Sequence, residues 1–394
     1  MNYGKVFLKP KKEESLLRFH PWVFSGAIQS IENNPNEGDL VEVYGANQKF
    51  LAVGHYQIGS IAIRILSFKQ REIDDSFWEE RIRTAHGLRC SLKLAKAENN
   101  NTYRLIHGEG DGLPGLIIDV YAGTAVMQAH SVGMHHSRQQ IAKAIQAVIG
   151  DEIKRIYYKS DVTLPFKAYL DNEDGYLYGG LTEEPAMENG LKFYVDWQKG
   201  QKTGFFVDQR ENRSLLEYYA KGRSVLNMFC YTGGFSVYAM RGNAHIVHSV
   251  DSSAKAISLT KKNIELNFPE DLRHEAYAED AFKYLEKMGT NYDLIILDPP
   301  AFAKHKNVLR NALQGYRKLN AIAFEKIKPG GILFTFSCSQ VVSKENFRLA
   351  VFSAAAQSGR NVRILHQLTQ PADHPVNIYH PEGEYLKGLV LYVE

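Results

Sequence analysis

Residues 224–236 read SVLNMFCYTGGFS, and this stretch decides how the last part of the chain folds. Its first half is apolar and prone to form a strand, and Gly233 and Gly234 stand where that strand would turn into a helix. Glycines at such a turn let the backbone pass close to a ligand. The stretch lacks the spaced GxGxxG pattern of nicotinamide enzymes, so a tight structural turn explains it equally well.

Further apolar stretches alternate with helical patterns after this turn. Residues 246–250, 294–297, 332–336 and 389–393 are predicted strands, and residues 307–327 keep apolar side chains at helical spacing. Such alternation is typical of a parallel sheet with helices on both faces, whose ligands bind beyond the carboxyl ends of the strands. The predicted fold class of this part is therefore α/β, with a Rossmann-like sheet.

Carboxylates follow these strands at the predicted ligand edge. Asp251 ends the strand 246–250, where an acid can accept hydrogen bonds from ribose hydroxyls, and capping of the next helix is the rival interpretation. Asp280 could accept from an adenine amine, again with capping as the rival. Asp298-Pro299-Pro300-Ala301-Phe302 is more specific, because two prolines directly after a buried strand hold the backbone and present the acid rigidly.

Taken in this order, the motifs resemble those of class I S-adenosylmethionine-dependent methyltransferases. The resemblance implies S-adenosylmethionine as cofactor. A nucleoside triphosphatase would need a Gly-Lys-Ser/Thr loop, which this sequence lacks. The residues expected to contact the cofactor at this edge are Phe229, Gly233, Asp251, Asp280 and Asp298.

A cysteine, Cys338, follows the strand 332–336 within a Ser-Cys-Ser sequence, which places a thiol beside the Asp298 loop. Most buried cysteines are inert small hydrophobes, so position alone does not decide its role. A thiolate that adds to carbon 6 of a pyrimidine makes carbon 5 nucleophilic enough to attack a sulfonium methyl group. Asp298 is then placed to assist at the N3/N4 edge of the base. We therefore expect Cys338 to be the nucleophile. Cys230 is a rival nucleophile, but its place in the glycine turn favours a structural role. Cys90 lies in a predicted helix, where we expect it to be buried.

Residues after the Asp298 loop are candidates for contact with RNA. Lys304, Lys306 and Arg310 are basic, and each neutralised phosphate releases counterions. Phe302 either stacks on a base flipped out of its helix or belongs to the core.

The upstream chain divides into two further predicted domains. Residues 1–72 hold short apolar stretches rich in β-branched residues, such as 40–44, which predict a small all-β barrel or sandwich. Residues 73–185 mix strand candidates with helix candidates at 77–95 and 135–149 and end near the turn-rich tract 171–175, which predicts an α+β middle domain. The α/β domain would then span residues 186–394.

Composition excludes several classes of protein. The chain has 394 residues, 44% of them hydrophobic and 23% charged, which is ordinary for two or three globular domains. Three cysteines are too few for a disulfide scaffold, so we expect a reducing, cytoplasmic location. No apolar run approaches the roughly 20 residues that span a bilayer, so no membrane association is expected. The net charge of +3 permits an anionic partner without requiring one.

Metal binding is not expected, and oligomerisation stays open. His130, His135 and His136 lack partner cysteines and metal-ligand spacing. An apolar edge of the middle domain could pair in a homodimer.

Seven segments spread over almost the whole chain together resemble one family, that of ribosomal RNA large subunit methyltransferase I, which makes 5-methylcytosine in 23S ribosomal RNA. This resemblance implies that residues 1–72 form a PUA domain that binds RNA, that 23S ribosomal RNA is the partner, and that Cys338 is the nucleophile. It also implies that residues 201–210 pack over the cofactor, with Gln209 as a ligand. The segments are 20–26 (HPWVFSG), 109–116 (EGDGLPGL), 201–210 (QKTGFFVDQR), 227–235 (NMFCYTGGF), 297–302 (LDPPAF), 336–339 (FSCS) and 380–388 (HPEGEYLKG).

Two other functions stay open. A sister family that methylates guanine N7 shares the Asp-Pro-Pro element but lacks the cysteine of Ser-Cys-Ser, so Cys338 favours carbon 5 of cytosine. Methylation of a nitrogen would leave Cys338 structural. A non-catalytic RNA-binding assembly factor that keeps the cofactor fold would bind RNA without turnover.

Overall fold

The computed structural model describes residues 3–165, 170, 173–303 and 305–394. Lys304, one of the predicted phosphate contacts, lies outside the described residues. The chain divides into two compact units, which are described separately below. The first unit comprises Met1–Asn189, Val195–Val207 and Ala372–Gly383, and the second comprises Gly190–Tyr194, Asp208–Pro371 and Glu384–Glu394.

The first unit begins with a six-stranded sheet that matches the all-β expectation for the start of the chain. Its strand order is β2-β6-β5-β4-β1-β3, and its pairs are antiparallel except for β1 with β4. Val6, Val43 and Ile63 are fully buried in its core. The elements are β1 (Gly4–Leu8), α1 (Glu14–Leu17), β2 (Trp22–Phe24), β3 (Ile28–Glu32), β4 (Leu40–Tyr44), β5 (Phe50–Tyr56) and β6 (Ile61–Ser67).

A second sheet in the same unit has the order β11-β10-β9-β8-β7, and two helices, α2 and α4, contact each other beside it. This is the α+β arrangement expected for the middle of the chain. The elements are α2 (Asp75–Ser91), β7 (Thr102–His107), β8 (Leu116–Tyr121), β9 (Thr124–Ala129), α3 (Val132–His136), α4 (Arg138–Ile149), β10 (Arg155–Tyr158), β11 (Gly175–Tyr178) and β12 (Ala186–Glu188).

The helices beside this sheet differ from the sequence prediction at their ends. The α2 helix starts where Asp74 accepts a hydrogen bond from the Phe77 amide, and it ends at Ser91, short of the predicted residue 95. Lys93 follows with a φ of +56°, a left-handed conformation that a helix cannot continue through. The single helix predicted over 135–149 is two helices, α3 and α4, which are separated at Ser137.

The second unit is built on a seven-stranded sheet of order β16-β15-β14-β17-β18-β20-β19. This confirms the predicted α/β, Rossmann-like fold class. The strands are β14 (Ser224–Met228), β15 (Ile246–Asp251), β16 (His274–Ala278), β17 (Leu294–Leu297), β18 (Gly331–Ser337), β19 (Val362–Leu368) and β20 (Lys387–Val393), and β13 (Leu191–Phe193) precedes them in the chain. The helices are α5 (Arg210–Ala220), α6 (Gly234–Arg241), α7 (Ala254–Asn267), α8 (Ala281–Lys287), α9 (Leu309–Lys326) and α10 (Lys344–Ser358).

The sheet is not wholly parallel. It also contains two strands that the sequence analysis did not predict. The strand β20 pairs antiparallel with both β18 and β19. The unpredicted strands β16 and β19 lie at the two edges of the sheet, where their side chains are half-buried or exposed. Edge strands need no continuous apolar run, so they left no clear signal in the sequence.

A buried ion pair stabilises the first unit. Arg89 on α2 is completely buried, and its Nη1 and Nη2 atoms donate to the two carboxylate oxygens of Asp111 at 2.5 and 2.8 Å. Its Nε and Nη2 atoms also donate to the carbonyl oxygens of Arg104 and Asp373, both at 2.7 Å. Such a bidentate pair offsets the cost of taking both charges out of water only while both partners are present.

Removing one partner of this pair should therefore destabilise the protein strongly. We expect Asp111→Ala to lower the free energy of unfolding by about 3–5 kcal/mol, because the Arg89 charge would stay buried without its partner. Urea unfolding followed by circular dichroism measures the change. The control is Glu79→Ala, which removes the partner of the exposed Arg83 on the same helix and should cost no more than about 1 kcal/mol. Equal effects of the two substitutions would contradict the role given to the buried pair.

Candidate cofactor and catalytic site

The order of strands in the second unit reverses between β14 and β17, and this reversal locates the site. The chain moves outward from β14 to β15 and β16 on one side, and from β17 to β18 on the other. Helices that leave the carboxyl ends of neighbouring strands in opposite directions open a crevice there, where ligands of such sheets bind. Residues at the carboxyl ends of these strands are therefore the ones placed to contact a ligand.

The turn after β14 holds its backbone in an uncommon shape. Phe229, Tyr231 and Gly233 have φ values of +58°, +48° and +81°. For the two non-glycine residues this conformation is costly, and such strain is concentrated at ligand sites. Gly233 caps α6, and a Cβ atom placed on it would lie 2.6 Å from Cγ2 of Thr260. The turn therefore requires glycine at this position for two separate reasons.

Asp251 at the end of β15 supports this turn. Its Oδ2 accepts from the backbone N–H of Tyr231 at 3.0 Å, and its Oδ1 accepts from the backbone N–H of Ser253 at 2.9 Å. The helix α7 is capped by the Ser253 side chain and not by Asp251. Each carboxylate oxygen has a second lone pair, so the same group can also accept from ribose hydroxyls.

Asp280 caps the helix that follows it, as the rival interpretation of this residue predicted. Its Oδ1 accepts from the backbone N–H of Lys283 at 3.0 Å and caps α8, and the residue is exposed. Contact with an adenine amine stays a prediction for this residue.

Gln209 and Asp298 come together in the second unit, although they are 89 positions apart in the chain. Nε2 of the buried Gln209 donates to Oδ2 of Asp298 at 3.0 Å, and its Oε1 accepts from Nδ2 of Asn212 at 2.6 Å. Asn212 thus orients the Gln209 amide, and the Gln209 amide in turn holds the Asp298 carboxylate. Asp298 itself is half-buried directly after β17.

Cys338 directly follows β18 and lies beside the Asp298 loop, as the sequence predicted. Its Sγ is 4.0 Å from the carbonyl oxygen of Pro299, and the residue is half-buried. Cys230, in contrast, is buried in the glycine turn, and burial raises the pKa of its thiol far above the usual value. Cys90 on α2 is half-buried, so the expectation that it is buried was wrong.

Lys387 is a functional candidate that the sequence analysis missed. It stands opposite Ser337 in the antiparallel pair of β18 and β20, and its Nζ donates to the carbonyl oxygen of Ser339 at 2.6 Å. It is buried, and burial lowers the pKa of its ammonium to about 8, against the attraction of Cys338. The sequence did hold a signal for Lys387, because it is the first residue of an apolar strand and lysine is seldom buried without a partner.

Phe302 packs in the core of the second unit. Its ring lies 4.6 Å from that of Tyr316 and 6.5 Å from that of Phe282. The core alternative therefore describes its present contacts, and stacking on a base stays a prediction.

Lys306 and Arg310 lie on a groove between α9 and α10. Both are exposed, and with Arg317 they line a cavity of about 560 Å³ whose other walls include Leu313 and Leu349. The described residues that line it include no carboxylate. The groove thus combines positive charge with apolar surface.

The donor set at the switch point fits S-adenosylmethionine. Carboxylates stand at, or shortly after, the carboxyl ends of three strands of the sheet, β15, β16 and β17, around a turn in which glycine brings the backbone close. Asp251, Asp280 and Asp298 can accept hydrogen bonds from the hydroxyl and amino groups of the cofactor. Among the described residues, no helix is long and apolar enough to cross a membrane.

Comparisons with known proteins agree with this geometry. A family model described as S-adenosylmethionine-dependent methyltransferase matches residues 160–381, and one described as PUA-like domain matches residues 6–68. These matches confirm the methyltransferase fold, S-adenosylmethionine as cofactor and a PUA-like start.

Individual relatives match over nearly their full length. "Ribosomal RNA large subunit methyltransferase I" of Aeromonas hydrophila subsp. hydrophila is 41% identical, over 98% of this chain and 99% of its own. The protein of the same name from Tolumonas auensis is 41% identical over 98% of each chain. A solved Streptococcus mutans structure, "A putative sam-dependent methyltransferase", has a TM-score of 0.83 at 24% identity and covers 99% of this chain and 100% of its own. This last likeness shows the fold.

The glycine turn makes a direct prediction about cofactor binding. We expect Gly233→Ala to weaken binding of S-adenosylhomocysteine at least about tenfold, because the new Cβ atom would meet Thr260 in a left-handed backbone. Isothermal titration calorimetry measures the dissociation constant. Gly222→Ala is the control, since Gly222 has a φ of +70° but a Cβ added to it would meet nothing within 4 Å. Unchanged binding by Gly233→Ala would show that this turn does not hold the cofactor.

Proposed function

We propose, because the chain belongs to the ribosomal RNA large subunit methyltransferase I family, that it methylates carbon 5 of a cytosine in 23S ribosomal RNA. The name of the relatives supports ribosomal RNA as the substrate. The observation that carries the choice of carbon 5 is the half-buried Cys338 thiol beside the Pro299 carbonyl at the ligand edge. A methyltransferase that acts on a nitrogen needs no thiol there. The reaction would take place in the cytoplasm.

The proposed reaction uses Cys338 as a nucleophile on the base. Its thiolate forms a bond to carbon 6, and the electron pair of the ring double bond moves to carbon 5. Carbon 5 then forms a bond to the electrophilic methyl group that S-adenosylmethionine would supply, the bond between that methyl group and the sulfonium sulfur breaks, and S-adenosylhomocysteine leaves. A base then removes the proton from carbon 5, the double bond re-forms, and the thiolate leaves carbon 6. The enzyme is thereby returned to its starting state.

Asp298 is the proposed partner of the cytosine edge. Its carboxylate can accept a hydrogen bond from the N4 amino group of the base, which orients the ring toward the Cys338 thiol. Gln209 donates to one oxygen of this carboxylate at 3.0 Å, so the carboxylate is held in place before the base arrives. Pro299 and Pro300 restrict the backbone that follows.

Lys387 is the proposed source of the positive charge that the thiolate needs. Its ammonium is held by the Ser339 carbonyl at 2.6 Å, one residue from Cys338. A nearby cation favours the thiolate form and lowers the pKa of a cysteine. In this role Lys387 acts through Cys338 and is a positioning residue.

The groove between α9 and α10 is the proposed path of the RNA backbone. Lys306, Arg310 and Arg317 would contact phosphates, and Leu313 and Leu349 would face bases or riboses. Phe302 and Lys304, which shortly precede Lys306 in the chain, are also proposed RNA contacts. The PUA-like domain at residues 6–68 would bind RNA separately.

The covalent step is tested by removing the thiol. We expect Cys338→Ala to abolish methyl transfer, by at least about a thousandfold, because carbon 5 of cytosine is a poor nucleophile without the adduct. Binding of S-adenosylhomocysteine should be unchanged. Labelled methyl transfer to ribosomal RNA, followed by mass spectrometry of the nucleosides, measures both rate and product.

Cys90→Ala is the matched control, because it removes a half-buried thiol from the first unit, and it should keep full activity. Undiminished transfer by Cys338→Ala would rule out the covalent mechanism. A product methylated at guanine N7 would show that the enzyme acts on that nitrogen and not on carbon 5 of cytosine. RNA binding without turnover of any nucleotide would favour an assembly factor.

The role of Lys387 is tested by a pH profile. In Lys387→Met the thiol loses its neighbouring cation, so the rising limb of the pH–rate curve should move to higher pH by about one unit or more, with a loss of about tenfold at pH 7. Lys387→Arg should restore part of the rate, because it keeps the charge. The control Lys344→Met removes an exposed lysine paired with Glu384 and should leave the profile in place. A uniform loss at all pH values would indicate a structural role only.

A further inference from the structure

Three potential metal ligands lie close together in the first unit, which does not include the methyltransferase sheet. They are His20, just before β2, and His380 and Glu382 in the segment Ala372–Gly383. One ligand atom from each lies within 4.8 Å of the others. The two histidines lie near opposite ends of the chain, so no short motif in the sequence predicts the cluster.

His380 is the feature that calls for a ligand. It is only 3% exposed, yet neither of its ring nitrogens has a hydrogen-bond partner among the described residues. Buried polar atoms in native proteins nearly always have a partner, in the protein, in water or in an ion. A buried histidine with both nitrogens in this state is a candidate ligand for an ion.

The distances suit a metal ion better than direct hydrogen bonds. Nε2 of His20 is 3.7 Å from Oε2 of Glu382, and Nε2 of His380 is 3.8 Å from the same oxygen. Both distances exceed the usual range of roughly 2.7–3.2 Å for a hydrogen bond. In a tetrahedral zinc site with bonds of about 2.0–2.1 Å, neighbouring ligand atoms are roughly 3.3–3.4 Å apart. The two distances to the carboxylate are within about 0.5 Å of this spacing, and the ligand atoms of the two histidines lie within 4.8 Å of each other, so the three side chains would draw together when an ion binds.

The backbone of Trp22 orients the His20 ring. Its Nδ1 accepts from the backbone N–H of Trp22 at 3.2 Å and lies 3.3 Å from the Trp22 carbonyl oxygen, so Nε2 is the ring nitrogen that faces Glu382, at 3.7 Å. The Trp22 ring lies 4.3 Å from that of His380 and is itself held by Glu109, which accepts from its Nε1 at 2.8 Å. Glu382 is exposed, which leaves a path for an ion to enter.

We propose that His20, His380 and Glu382 bind a divalent transition-metal ion, with Zn²⁺ the best match to two imidazoles and a carboxylate. The fourth position is taken by water. The ion ties the segment that carries His380 to the six-stranded sheet of the same unit and has no part in methyl transfer. The expectation of no metal rested on His130, His135 and His136, none of which belongs to this cluster.

The test uses the full chain after treatment with a chelator. Titration with Co²⁺ should produce the visible absorption of a tetrahedral site at one equivalent, and Zn²⁺ should abolish it by displacement. Zn²⁺ should also raise the melting temperature, because an ion that binds only the folded state stabilises it. None of these measurements depends on methyl transfer, so the result is independent of the proposed reaction.

Variants decide whether these three residues form the site. Loss of an outer hydrogen-bond partner usually weakens metal binding roughly 10- to 100-fold, so loss of a ligand in His380→Ala should weaken it by at least about 100-fold. Glu382→Gln changes an exposed side chain, folds in any case, and should also weaken binding. The exposed His136 provides the control His136→Ala, which should bind like the unchanged protein. Failure to bind one equivalent of Zn²⁺, or equal binding by all variants, would overturn the proposal.

Discussion

The carboxyl ends of four neighbouring parallel strands, β15, β14, β17 and β18, meet at one edge of the second unit's sheet, and the site depends on that constraint. The strands β14, β17 and β18 are wholly buried, so their side chains serve the core and cannot bind a ligand. Chemistry is left to the residues at, or shortly after, the carboxyl end of each strand. Asp251, Gly233, Asp298 and Cys338 therefore share one edge because their strands are neighbours, although the chain places them far apart.

Rigidity at this edge comes from backbone restrictions of several kinds. The turn after β14 holds Phe229 and Tyr231 at positive φ, and Asp251 accepts from the Tyr231 amide. Two prolines follow Asp298, and Gln209 donates to its carboxylate. A site held in this way loses little conformational entropy when cofactor and base bind, which is how preorganised sites favour reaction.

Burial gives two basic residues of this protein opposite tasks. Arg89 in the first unit is neutralised by a bidentate carboxylate and serves stability alone. Lys387 in the second unit donates to a backbone carbonyl and has the Cys338 thiol as an electrostatic neighbour. Burying a cation is costly, and groups whose pKa is shifted by burial are concentrated at functional sites. This contrast is the physical reason for assigning Lys387 to the reaction and Arg89 to the fold.

The sequence by itself determined the α/β fold, the glycine turn and the strand-end positions of Asp251, Asp298 and Cys338, because apolar runs and the residues directly after them are local features. It could not predict β16 and β19, whose edge positions need no apolar run. Only the tertiary structure brought Gln209 to Asp298, Lys387 beside Ser339, and His20 to His380. These contacts join residues that are distant in the chain, and nothing in a local pattern encodes which buried polar groups will meet when the strands and loops have packed.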